Sequence, residues 1–82
     1  MRETIDIVIN ELADIAKYFN IKEGRVIENN EDYVVFELEM SADNGAVSNL
    51  KFKKNKKQTT LIVNDEEFEI SKNNIIFAYA VG

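Results

Sequence analysis

Residues Tyr33 to Met40 alternate strictly, with Val34, Phe36, Leu38 and Met40 on one side and Tyr33, Val35, Glu37 and Glu39 on the other. Successive side chains of an extended strand point to opposite faces, so this stretch requires a strand with one apolar face and one mixed face. Such a strand needs partners, and Val47 to Lys53 offers one, with Leu50 and Phe52 facing inward. Parity decides how the two meet. A two-residue Asn44-Gly45 loop sets Glu39 against Leu50 and mismatches the faces. A three-residue Asp43-Asn44-Gly45 loop, with Gly45 in the left-handed region, sets Leu38 opposite Leu50, Phe36 opposite Phe52 and Glu37 opposite Lys51. The second register is the expected one.

The same test extends the sheet. Thr59 to Val63 and Glu67 to Ile70 form a hairpin around Asn64-Asp65, with Leu61 opposite Phe68 and Ile62 opposite Glu67. Arg25 to Glu28 reads as a short strand, and Asn29 to Asp32, Lys54 to Lys57 and Ser71 to Asn74 as turns. Ile75 to Val81 is uncharged on both sides, which predicts a central strand, an edge covered by a helix, or a homodimer seam; a helix is the minor alternative.

Ahead of the sheet, Ile5, Val8, Ile9, Leu12, Ile15, Ala16 and Phe19 recur at three- and four-residue spacing, predicting one amphipathic helix from Thr4 to Phe19. Thr4 suits the N-cap, Glu3 and Asp6 suit the positive end of the dipole, Asn20 ends the helix and Gly24 turns the chain into the sheet. Ile7, Glu11, Asp14 and Tyr18 form a second stripe opposite the first. The element order predicts an α+β fold: an N-terminal helix packed on a curved, meander-like antiparallel β-sheet of about five to six strands.

The 82 residues suit a single domain, 1–82. With no Cys and no His, packing and backbone hydrogen bonds must hold it, and neither a structural metal nor a cofactor is expected. The acids near Met1 do not suit a signal peptide, and no segment approaches the ~20 apolar residues that cross a bilayer. A cytoplasmic location without membrane attachment is the expectation.

The missing His and Cys also remove the commonest general base and the strongest nucleophile. Ser41, Ser48 and Ser71 lie in or beside expected turns, outside any nucleophile-elbow context. Glu11 with Asp14, or Glu37 with Glu39, are the carboxylate pairs available to acid–base chemistry, but both read as ordinary solvated positions. Gly24, Gly45 and Gly82 are too far apart for a phosphate loop, and Asp43-Asn44-Gly45 and Asn64 to Glu67 lack calcium-loop spacing. No catalytic residue is assigned, and an enzyme is not expected.

Charge is the remaining signal. The net charge is −5, but six acids and no base lie between Val26 and Leu50, five lysines fall within Lys51 to Lys57, and four acids follow between Gln58 and Ser71. Glu37 and Glu39 share a strand face with Tyr33 and Val35, and Glu31 and Asp32 lie nearby. Together these six residues could present carboxylates to a basic protein surface. The main expectation is therefore a non-enzymatic interaction module, a small acidic regulator or inhibitor of the kind phages and mobile elements encode. One alternative is nucleic-acid contact through Lys51, Lys53, Lys54, Lys56 and Lys57, against which the acidic remainder weighs. A solubilising strand and hairpin tip, with one lysine paired to Glu37, explains the same lysines. A homo-oligomer joined through Ile75 to Val81 is the other alternative.

Overall fold

The computed structural model describes residues 2–13, 19–42 and 44–81. A helix, α1 (Arg2–Glu11), precedes five strands, β1 (Phe19–Asn29), β2 (Tyr33–Ala42), β3 (Val47–Asn55), β4 (Thr59–Val63) and β5 (Glu66–Glu69), and a second helix, α2 (Lys72–Val81), follows them. The strands form one antiparallel sheet in the order β1-β2-β3-β4-β5, each beside its neighbour in sequence. The molecule is thus mostly antiparallel sheet with two short helices, an α+β arrangement.

Both parity arguments hold. Leu38 pairs with Leu50, Phe36 with Phe52 and Glu37 with Lys51. Gly45 has φ +88°, which side chains disfavour and glycine adopts freely. Leu61 pairs with Phe68 and Ile62 with Glu67. Asn64 and Asp65 both take positive φ, 52° and 67°, the backbone of a type I′ turn. At the opposite end of the sheet, Asn30 Oδ1 accepts from the amides of Asp32 and Tyr33, and Asn55 Oδ1 accepts from those of Lys57 and Gln58. The same asparagine device closes two hairpins.

One face of the sheet is buried. Phe36, Leu38, Met40, Leu50, Phe52 and Leu61 form a single cluster with Val8 and Leu12 from the first helical segment and Ile75 and Ala78 from α2. The Phe36 and Phe52 rings stack with centroids 5.7 Å apart. Both helices therefore lie against the same face. A five-stranded sheet is roughly 19 Å wide at ~4.8 Å per strand spacing, whereas one helix covers only about 10 Å. Covering it takes two helices.

That geometry corrects the sequence reading at both ends of the chain. Ile75 to Val81 belongs to α2 and forms no strand. Ser71 caps this helix: its Oγ accepts from the Asn74 amide at 3.2 Å, and its carbonyl accepts from the Ile75 amide at 3.0 Å. Asn74 Nδ2 also donates to the Glu69 carbonyl, tying the helix start to the end of β5. The first helix is shorter than its stripe suggests. It begins at Arg2, so Thr4 lies inside its first turn, and it ends at Glu11. There the Leu12 amide is shared between the carbonyls of Val8 and Ile9, and the Ala13 amide donates to Asn10, three residues back, as helix ends commonly do. Its apolar stripe is real through Val8, Ile9 and Leu12, while Ile15, Ala16, Asp14 and Tyr18 lie outside the described residues. Asn20 and Gly24, expected at a cap and a turn, are inside β1. This edge strand runs from Phe19 with two register shifts, between Ile21 and Gly24 and between Val26 and Glu28. No helix among the described residues is long and apolar enough to cross a membrane.

Candidate partner-binding face

With both helices on the inner face, the outer face of the sheet has no covering layer among the described residues. Strand register orders its side chains into stripes. β2 contributes Tyr33, Val35, Glu37 and Glu39; β3 contributes Asn49, Lys51 and Lys53; β4 contributes Thr60 and Ile62; and β5 contributes Glu67 and Glu69. An acidic stripe thus borders a basic one, and a second acidic stripe lies beyond the neutral strand β4.

Neighbouring stripes hold each other in place. Arg25 from the edge strand reaches Glu37 at 2.6 Å. The Tyr33 hydroxyl donates to Glu28 at 3.0 Å, and the Lys53 ammonium sits 4.5 Å from the centre of the Tyr33 ring. Lys53 also pairs with Glu67 at 3.5 Å, and the Thr60 hydroxyl donates to the other oxygen of that carboxylate at 2.9 Å. The charged groups are exposed or half-buried, so each ion pair adds little to stability. Their effect is to fix side-chain positions on an open surface. Glu39 is half-buried and has no ion-pair partner among the described residues.

Two shallow grooves adjoin along β2. One, of about 290 Å³, has Val35 and Ile62 in its lining with Ile27 and Tyr33, and a charged surround of both signs, Lys51 and Lys53 with Glu28, Asp65 and Glu67. The other, of about 220 Å³, is lined by Gly24, Arg25, Glu37, Glu39 and Asn49.

The six acidic-face residues are thus divided. Tyr33, Val35, Glu37 and Glu39 share the outer face, but Val35 is buried between its neighbours, only 8% exposed, and serves as groove floor. Glu31 and Asp32 sit apart, exposed at the β1–β2 turn. There they line a hollow with Lys54 and Lys56, so acid and base meet at that tip. The lysine run is divided too. Lys51 and Lys53 lie on the outer face, Lys56 and Lys57 at the β3–β4 turn, and Lys54 on the helix side, where its ammonium lies 3.4 Å from Glu11 and 3.3 Å from Thr59 Oγ1. Sequence reasoning passed over Arg25, Ile27, Ile62 and Glu67 as site residues. Arg25 meets Glu37 from the neighbouring strand β1, and Glu67 meets Lys53 from β5, so the sheet order is what brings both to the outer face.

No three acidic side chains among the described residues converge closely enough to hold a metal ion. A larger groove, about 700 Å³, lies beside β4 and β5, and Glu11, Thr59, Glu69 and Ile70 contribute to its lining. No protein-family model, curated protein or solved structure matches this chain.

Proposed function

We propose that the chain is a non-enzymatic protein-recognition module, a small acidic regulator or inhibitor that binds a basic protein surface through the outer face of its sheet. The observation that carries this reading is the uncovered face itself, with Glu37 and Glu39 held along β2 beside an apolar groove. Electrostatic complementarity at such a face steers encounter and rejects wrong partners more than it adds affinity. The lysine stripe on β3 sharpens selection, because a partner must place its bases on β2 and avoid Lys51 and Lys53. The test is capture from the native host with the wild-type chain and with the double variant Glu37→Lys, Glu39→Lys. A specific partner should be lost from the variant while its circular dichroism stays unchanged. Equal capture by both would reject the face.

A second reading is supported by α2. Ile76 and Phe77 are 43% and 55% exposed on a helix with no charge between Asn73 and Val81. Two copies meeting there would cover these exposed apolar side chains. Sedimentation equilibrium at rising concentration, compared with Phe77→Ser, tests it: a mass that stays monomeric throughout removes this reading.

A further inference from the structure

The two adjoining grooves define more than a charge preference. We infer that the outer face takes an extended segment of a partner protein in which an aliphatic side chain and a basic side chain lie four residues apart on one side of the chain, with a second basic residue between them. This rests on the reading above and names the kind of partner it implies.

The argument is one of spacing. Tyr33, Val35, Glu37 and Glu39 follow one another along β2 at two-residue intervals. Each interval is roughly 6.7 Å at ~3.3 Å per residue. Val35 lines the first groove and Glu39 the second. These two residues are four apart along β2, or roughly 13 Å. An extended ligand lying along β2 has the same two-residue repeat and keeps every second side chain on the face. A helical ligand advances ~5.4 Å per turn and falls out of step by more than 2 Å over the same two intervals. An extended segment is therefore the form that stays in register.

Chemistry assigns the order. Val35 and Ile62 line the first groove and suit a Leu, Ile or Val side chain, which gains from leaving water. Glu39, half-buried and without an ion pair among the described residues, is the acid available to an incoming base. Glu37 already holds Arg25, whose exposed guanidinium shows how a basic group approaches this stripe. A partner arginine at the middle position would share Glu37 with Arg25 or displace it.

Binding of synthetic peptides at low salt tests the inference by fluorescence anisotropy. The probes carry the core Leu-Ser-Arg-Ser-Arg or its reverse, with a scrambled control, Ser-Leu-Arg-Arg-Ser, of equal composition. One spaced peptide should bind at least five-fold more tightly than the scramble. That preference should disappear in Ile62→Thr and weaken several-fold in Glu39→Gln, with both variants keeping the wild-type circular dichroism. If spaced and scrambled peptides bind equally, the spacing inference fails while recognition of basic partners stands. If no cationic peptide binds and an acidic control does, the reading of the face as a receptor for basic surfaces fails with it.

Discussion

Gly45 sits at φ +88° with no atom within 4 Å of where a Cβ would stand, so replacing it tests backbone conformation alone. Gly45→Ala should cost about 1 kcal/mol, because an L side chain disfavours that region, while Gly45→Asn should cost less. Urea denaturation with an unchanged slope is the check. Ser48 offers the opposite case. Its hydroxyl is buried on the inner face, opposite Met40, and makes no hydrogen bond among the described residues. Ser48→Ala removes a desolvated polar atom with little change in shape and should be neutral or stabilising by up to about 1 kcal/mol in the same assay. The asparagines that close the hairpins contribute through two backbone bonds each. Asn55→Ala should therefore lower stability by roughly 1 kcal/mol, while Lys56→Ala, one residue on and exposed, should leave it unchanged.

Among the elements, α2 depends most on a single contact. Ser71 caps it, and Ser71→Ala should cost about 1 kcal/mol, visible as a lower midpoint in thermal unfolding followed at 222 nm. The sequence reads Ser71 to Asn74 as a turn, although a Ser ahead of an apolar run also suits a helix start. What hid the helix is that Ile75 to Val81 has no polar residue to mark a period: every register of a strand and every face of a helix looks alike. The burial of Ile75 and Ala78, three apart, became visible only against the sheet. In α1 the misleading signal was the reverse. The apolar spacing runs on toward Phe19, yet the helix ends at Glu11, which leaves that carboxylate at the negative end of the dipole with no basic residue in the last turn. Lys54 from β3 offsets that carboxylate instead. The sheet edges follow ordinary protective rules: β5 is four residues long and carries Glu66, Glu67 and Glu69, and β1 is broken by two register shifts.

Taken whole, the molecule rests on one cluster that joins both helices to the inner sheet face, and Phe36 and Phe52 are its largest members. Truncating either to Ala should cost about 3–5 kcal/mol, enough to unfold much of a domain this small. Phe36→Leu should cost less and still show a single transition by tyrosine fluorescence and circular dichroism. Separate transitions for helix and sheet would mean that the cluster does not couple them. The charges show the same dependence on the whole. Along the chain they are segregated, yet the acidic strand β2 pairs with the basic strand β3, so the long runs of one sign become alternating stripes.

The registers of the β2–β3 and β4–β5 hairpins and the conformations of their turns were determined locally, because a two-residue period and the backbone demands of Gly, Asn and Asp act over a few residues. The sequence also supplied the carboxylates of the outer face. Tertiary structure alone decided where α1 stops, that the last apolar run is a helix, and which charges meet. Each of those outcomes depends on how much sheet must be covered and on which strands lie side by side, and neither quantity is carried by any short stretch of chain.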